Sequence, residues 1–141
     1  MDNSAKAQTE YKRLRSLIGG RHPKGDCQLV ALMIARAIDG EIIDGIVSFE
    51  QGAPIWHFWA RMRDTCIYDP LADSWNRQPT TYTMKRIVEE SEVLEELRHF
   101  VKDIDYIPRN WEPIFPLRYA LTNELLGITL PGIEKLFPMC H

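Results

Sequence analysis

The stretch GDCQLVALMIARAI, residues 25–38, decides the architecture of this chain. Its second residue, Asp26, is a type that favours helix N-caps, and the segment from Cys27 to Ile38 is apolar nearly all the way round. A helix with apolar residues on every side is typical of a buried position. The sequence therefore predicts a central helix that begins at Cys27 and lies in the core.

Three strands are predicted after this helix. Residues 41–49 and 55–62 are rich in Ile, Val and aromatic side chains, which favour strands. Residues 65–69 form a third such run, and the short polar break at 63–64 indicates that the last two strands form a hairpin. Pro70 ends the third strand because it has no N–H to donate to a strand ladder.

Helical segments are predicted on both sides of these strands. Residues 4–18 carry apolar side chains at helical spacing. Residues 83–104 mix apolar and charged side chains in a helical pattern, with Ser91 as a possible cap of a second helix inside the span. In the proline-rich C-terminal third, short helices are predicted near residues 117–126 and 133–137.

Together these elements predict an α+β fold. The helix that bears Cys27 is expected to pack on a small antiparallel sheet of at least three strands, with the other helices covering it. A chain of 141 residues with 45% hydrophobic content fits a single domain over residues 1–141. We place its core at about residues 20–75 and its helical cover at about residues 83–141.

Charge and cysteine content limit the functional classes. The net charge is −3, from 17 Lys and Arg against 20 Asp and Glu, and no stretch concentrates enough basic residues to bind a nucleic acid. The N-terminus is polar and no apolar run approaches about 18 residues, so we expect a cytoplasmic protein with no membrane span. The three cysteines, Cys27, Cys66 and Cys140, form no paired framework, and reduced thiols are expected.

Cys27 is the candidate nucleophile. It occupies the first turn of the predicted central helix, where free N–H groups and the positive end of the helix dipole favour a thiolate. Gly25 lets a substrate backbone approach closely, and the Cys27 N–H is placed to bind an oxyanion. A lone cysteine in an apolar helix is more often a packed core residue, so this interpretation depends on partners elsewhere in the chain.

Two residues on the predicted hairpin supply these partners. His57 stands in the middle of an aromatic strand, where an imidazole needs a hydrogen-bond partner or a cleft. A hairpin loop with an odd number of residues, over 62–64, would place Asp69 directly opposite His57, where a carboxylate fixes the imidazole tautomer. Cys66 would then face the opposite side, toward the core. Taken singly, His57 is more often a satisfied core or surface histidine, and an aspartate before a proline, such as Asp69, is commonly a turn residue.

The segments that carry these three residues resemble the core of the transglutaminase-like (papain-like) superfamily of cysteine peptidases and acyltransferases. The matching segments, within about residues 20–75, are Gly25-Asp26-Cys27, His57-Phe58-Trp59-Ala60 and Tyr68-Asp69-Pro70. The resemblance implies that Cys27 is the nucleophile, His57 the general base and acid, and Asp69 the carboxylate that orients His57. It also implies cysteine-dependent acyl transfer or hydrolysis on an amide of a protein or peptide, through a thioester.

Several roles stay open. The second oxyanion donor is unassigned: Gln28 follows Cys27, and Trp56 and Trp59 flank His57 as oxyanion or substrate candidates. Hydrolysis by water and transfer to an amine are not distinguished. A catalytically silent peptide- or protein-binding module is the alternative. No metal and no cofactor are expected, since the cysteines and histidines match no closed zinc pattern and no phosphate loop is present.

Overall fold

The computed structural model describes residues 1–23, 25–62, 66–103 and 115–130. Within these ranges the fold class is α+β, as predicted, with helices packed on a four-stranded antiparallel sheet. The helices are α1 (Asn3–Leu17), α2 (Cys27–Ile38), α3 (Glu90–Lys102), α4 (Pro116–Ala120) and α5 (Thr122–Leu126). The strands are β1 (Glu41–Phe49), β2 (Ile55–Arg61), β3 (Ile67–Tyr68) and β4 (Pro79–Val88), and a 3₁₀ turn covers Pro70–Ser74.

Helix α2 lies in the core and has the predicted bounds. Its side chains at Leu32 and Ile34 are fully buried, because α2 packs against β2 on one side and α1 on another. The helix ends at Asp39, whose φ of 55° puts it in the left-handed region that commonly stops a helix. Cys27 is therefore fixed at the N-terminal end of the most deeply buried helix described.

The sheet has the strand order β3-β2-β1-β4, and every neighbouring pair is antiparallel. Its two faces support different clusters. Ile42 and Ala60 belong to the large core around α2. A second, smaller cluster is built on Ile43, Val47 and Trp59 and includes side chains from β4 and from the segment after β3. His57 pairs with Gly45 at the edge of this smaller cluster.

The predicted hairpin register is wrong by two residues. Ala60 lies opposite Tyr68, so the same register carries Asp69 to the position opposite Trp59, not opposite His57. Because side chains on a strand alternate with a period of two, this displacement leaves Asp69 on the face that His57 occupies. The two side chains therefore meet diagonally across the hairpin.

The turn between β2 and β3 explains the displacement. The Met62 N–H donates to the Cys66 carbonyl at 3.0 Å, so the connection is longer than predicted and β3 begins only at Ile67. Cys66 belongs to this turn and is exposed. The prediction that Cys66 faces the core is therefore wrong.

The predicted helix over residues 83–104 is wrong in its first part. Residues 79–88 form β4, which pairs with β1, and the helical cover therefore begins only at α3. Most β4 side chains are exposed, so the sequence of this strand lacks the alternation with a period of two that marks a strand. Its hydrogen bonding with β1 nevertheless makes it a strand. Helix α3 starts with a capping box between Glu89 and Glu92, not with Ser91 as its cap.

In the C-terminal third, α4 and α5 fall within the helical segment predicted near residues 117–126. Ile104 and the helix predicted near residues 133–137 lie outside the described residues. None of the helices in the described ranges has the length and apolar content that a membrane span needs.

Gly45 is the position in the sheet with the least room for a side chain. A Cβ there would lie 2.2 Å from the Thr83 carbonyl oxygen and 2.5 Å from the Trp59 ring. We expect Gly45→Ala to lower the free energy of unfolding by about 3 kcal/mol, because strand backbone must move. Urea unfolding measures this loss.

Gly20→Ala is the matched control. Gly20 has a φ of 82°, but a Cβ added there would meet no other atom within 4 Å, so only the left-handed conformation, at about 1 kcal/mol, is penalised. Equal losses in the two variants would contradict the close approach of β1, β2 and β4 at Gly45.

Candidate active site

A cleft of about 530 Å³ opens at the N-terminal end of α2. Cys27 and His57 both line it, together with residues from the end of β1 and from the segment that follows β3. Cys27 is half-buried, so its thiol is shielded but reachable from the cleft. The structure thus brings the predicted nucleophile and the predicted base to one concave surface.

His57 and Asp69 form a direct contact beside the cleft. His57 Nε2 and Asp69 Oδ2 are 2.9 Å apart, and the two side chains are only 3% and 5% exposed. Asp69 reaches this position because Pro70 ends β3 and starts the 3₁₀ turn, which redirects the chain directly after the carboxylate. A carboxylate at this distance fixes the imidazole tautomer and orientation.

Cys27 contacts the same imidazole. Both side chains line the cleft, and a hydrogen bond with Cys27 is among the causes that raise the pKa of His57. Because Nε2 is engaged by Asp69, Nδ1 is the ring nitrogen that remains for the thiol. The three predicted catalytic residues therefore form one chain of contacts, from thiol to imidazole to carboxylate.

Opposing effects act on the pKa of His57. Burial lowers it, but the hydrogen bonds with Asp69 and Cys27, together with their charges, outweigh burial and raise the pKa from 6.5 to about 9. The imidazole therefore holds its proton at neutral pH. A protonated imidazole beside a cysteine supports a thiolate, which is the nucleophilic form of the side chain.

Tyr82 is a site residue that the sequence analysis missed. Its hydroxyl donates to Asp69 Oδ2 at 2.8 Å, so the carboxylate is held from β4 as well as by His57. Burial and the nearby charge of Asp69 both raise the pKa of Tyr82, which keeps the phenol protonated as a donor. The signal was the β-branched and aromatic run at residues 80–83, which favours a strand.

Aromatic side chains fix the plane of the His57 ring. Trp75 meets it edge-on, with ring centroids 4.9 Å apart, and Trp59 stacks at 6.3 Å. Trp75 also lines the cleft, whereas Trp59 is 2% exposed within the smaller cluster. Trp59 therefore supports the ring from within the fold and does not reach the cleft.

The other two oxyanion or substrate candidates are also away from the cleft. Gln28 lines a separate small depression that includes Val93 and Arg118. Trp56 is 68% exposed and is not among the residues that line the cleft. Gln28, Trp56 and Trp59 were chosen only because they are near Cys27 and His57 in sequence. Nearness in sequence does not show whether a side chain points into the cleft.

Asp26 does not cap α2 with its side chain, contrary to the sequence expectation. Its side chain is buried, and Oδ2 accepts from the Leu117 N–H at 2.8 Å while Oδ1 lies 3.3 Å from Arg118 Nε. A long-range partner on α4 has replaced the local cap. The first-turn N–H groups of α2, beside Cys27, are consequently left without that side chain as an acceptor.

No protein-family model, curated protein or solved structure matches this chain. A functional assignment therefore depends on the contacts of the cleft itself. Across the described ranges, His, Cys, Asp and Glu side chains form no group of three that could hold a metal ion.

Replacing Asp69 tests the cause of the raised His57 pKa. In Asp69→Asn the carboxylate charge is lost while the shape is kept, so the pKa of His57 should fall from about 9 toward 6.5. Histidine ring resonances followed by NMR across pH measure this value. Asp73→Asn removes an exposed carboxylate of the 3₁₀ turn and should leave the His57 titration unchanged; an equal fall in both variants would contradict a specific contact.

Asp26 gives a second pH prediction. Burial raises its pKa from 3.8 to about 7, although Leu117 and Arg118 act in the opposite direction. The folded protein then holds a proton that the unfolded chain releases, so this group makes the free energy of unfolding fall as pH rises from about 4 to 7. Asp26→Asn removes the titrating carboxyl, and with it this pH dependence, but keeps an oxygen that accepts from the Leu117 N–H.

Urea unfolding at several pH values between 4 and 8 measures the effect. The stability of the wild type relative to Asp26→Asn should decline as pH rises, while the exposed Asp103→Asn should follow the wild type. A difference between wild type and Asp26→Asn that is constant with pH would show that Asp26 does not titrate in this range.

Proposed function

We propose that this protein is a cysteine-dependent enzyme that transfers or hydrolyses the acyl group of an amide, in the manner of the transglutaminase-like (papain-like) superfamily. The observation that carries the proposal is the continuous set of contacts from Cys27 through His57 to Asp69 at the wall of a cleft. A nucleophile, a base and an orienting group in this order are the elements of nucleophilic catalysis.

Each residue has a defined role in the first half of the reaction. His57 holds the proton of the Cys27 thiol, and the sulfur attacks the amide carbonyl carbon, which moves one electron pair onto the carbonyl oxygen. When this oxyanion collapses, the carbon–nitrogen bond breaks and His57 gives its proton to the leaving amine. Asp69 stabilises the imidazolium for as long as His57 holds the proton. The product is a thioester on Cys27.

The second half releases the acyl group. Water or an amine attacks the thioester carbonyl, His57 accepts the proton of the attacking group, and the carbon–sulfur bond breaks to restore Cys27. Attack by water makes the enzyme a peptidase or deamidase, and attack by an amine makes it a transamidase. The contacts at His57 serve both reactions equally.

The oxyanion is best stabilised by backbone groups of α2. The first-turn N–H groups of a helix have no partner within the helix, and the Asp26 side chain accepts from Leu117 and not from them. These N–H groups lie at the positive end of the helix dipole, next to the attacking sulfur of Cys27. No side-chain donor is then needed from Gln28, Trp56 or Trp59.

The expected substrate is a protein or peptide, since the cleft opens at the surface beside the backbone of Gly25. Cys27 and Cys66 are free thiols, which fits a reducing compartment such as the cytoplasm. We retain one alternative, a catalytically silent binding module that uses the cleft for a peptide partner. This alternative applies if the backbone N–H groups at the start of α2 do not bind an oxyanion, because Gln28, Trp56 and Trp59 lie outside the cleft and offer no side-chain donor.

Acylation by p-nitrophenyl acetate tests the enzymatic role. Wild-type protein should release p-nitrophenolate in a burst and carry an acetyl thioester on Cys27, identified by mass spectrometry. Cys27→Ala should show no burst, and His57→Ala should slow acylation by about 10²- to 10⁴-fold, the usual contribution of a general base. Added methylamine distinguishes the two products, acetate or an N-methylamide.

Cys66→Ala is the matched control, since it removes an exposed thiol outside the cleft and should leave the burst intact. Equal acetylation of Cys27 and Cys66 in the wild type would contradict an activated nucleophile. Together with unchanged peptide binding by Cys27→Ala, that result would support the binding module instead.

A further inference from the structure

Arg77 lines the cleft and is held there by two kinds of contact. Its Nη1 donates to the carbonyl oxygens of Ala53 at 2.8 Å and Gln51 at 3.4 Å, in the loop between β1 and β2. Its guanidinium carbon lies 3.7 Å from the centroid of the Phe49 ring, so the cation also stacks on an aromatic face. The loop closes tightly on it, since a Cβ on Gly52 would lie 2.4 Å from Nη1.

These contacts leave one edge of the guanidinium unused. Nε and Nη2 of Arg77 have no hydrogen-bond partner among the described residues, and they lie on the edge away from the bonded Nη1. Two parallel N–H groups on one edge of an arginine match the two oxygens of a carboxylate. Because the side chain is already fixed, little conformational freedom is lost when an anion binds.

The charged residues that line the cleft favour an anion beside Arg77. Arg77 is the only arginine or lysine among the described residues that line the cleft, and no aspartate or glutamate is among them. Apolar side chains at Phe49, Ile55 and Trp75 form the adjacent wall. They lower the local polarity, which strengthens the attraction between a cation and a carboxylate.

We propose that Arg77 binds a carboxylate of the acyl substrate, so that the enzyme prefers peptides with an acidic side chain close to the amide that Cys27 attacks. This inference rests on the proposed function, because the same cleft must hold the reacting carbonyl at Cys27 and the acidic group at Arg77. The loop contacts and the Phe49 ring hold the guanidinium in place before a substrate binds.

Two alkylating reagents that differ by one charge test the preference. N-bromoacetyl-glutamate α-amide is anionic, and N-bromoacetyl-glutamine α-amide is its neutral counterpart of the same length. In each, the thiolate displaces bromide from the methylene carbon and forms a stable thioether. Mass spectrometry gives the labelling rate of Cys27, and the rate at exposed Cys66 in the same molecule corrects for the intrinsic reactivity of each reagent.

We expect the wild type to favour the anionic reagent at Cys27 by about tenfold, the factor equivalent to one charged hydrogen-bonded contact of modest strength. Arg77→Gln should abolish the preference. Arg77→Lys should keep part of the preference, because an ammonium retains the positive charge but not the two parallel N–H donors. Arg98→Gln removes an exposed arginine of α3, far along the chain from the cleft residues, and should leave the preference unchanged.

The outcomes separate this inference from the proposed function. Suppose that the neutral reagent labels Cys27 much faster than Cys66. If the anionic reagent then reacts no faster than the neutral one, or if Arg77→Gln still prefers the anionic reagent, the proposed role of Arg77 is contradicted while the proposal for Cys27 remains supported. If neither reagent labels Cys27 faster than Cys66, both proposals fail. If Arg77→Gln unfolds because the loop at Ala53 is released, Arg77→Lys is the deciding variant. An undiminished tenfold preference in Arg77→Lys would contradict binding by two parallel N–H groups, and a reduced preference would support it.

Discussion

The contact between His57 and Asp69 is the interaction on which the rest of the site depends. It joins the middle of β2 to the end of β3 through two side chains that are almost completely removed from solvent. A buried ion pair of this kind gives a fold little net stability, since apolar residues of similar volume would do as well. Its position beside Cys27, with Tyr82 donating to the same carboxylate oxygen, is the arrangement that the proposed catalysis requires. The supporting rings, Trp75 and Trp59, restrict the imidazole to the orientation that serves both neighbours.

The C-terminal part of the chain contributes through a second buried carboxylate. Asp26 directly precedes Cys27, yet its side chain binds the backbone of Leu117 and approaches Arg118 on α4. This contact fixes the start of α2 against α4 and leaves the first-turn N–H groups beside Cys27 without the Asp26 side chain as an acceptor. The proline at the start of α4, Pro116, suits this arrangement because a proline is tolerated in the first turn of a helix. A segment that carries none of the three predicted catalytic residues thus holds the proposed nucleophile, Cys27, in place.

Much of this could be predicted from the sequence because the decisive patterns are local. The bounds of α2 follow from its uniformly apolar run. The contact of His57 with Asp69 was predicted although the register was wrong by two residues, because a shift of two keeps both side chains on the same face of the sheet. Long-range contacts were beyond reach. The side chain of Asp26 binds Leu117, a partner remote in sequence, and not the helix start that it was expected to cap. Tyr82 was missed because it precedes the helix predicted over residues 83–104, and its contact with Asp69 depends on the pairing of β4 with β1, which is not local in sequence.

The measurement that tests the central claim most directly is the rate of iodoacetamide labelling at each cysteine across pH, in the wild type and in His57→Ala. If His57 and Asp69 activate the nucleophile, Cys27 labels far faster than exposed Cys66 at neutral pH, and His57→Ala removes that advantage. If Cys27 labels no faster than Cys66, or if its rate is unchanged in His57→Ala, the contacts among Cys27, His57 and Asp69 are packing, and the assignment as a cysteine-dependent enzyme is contradicted.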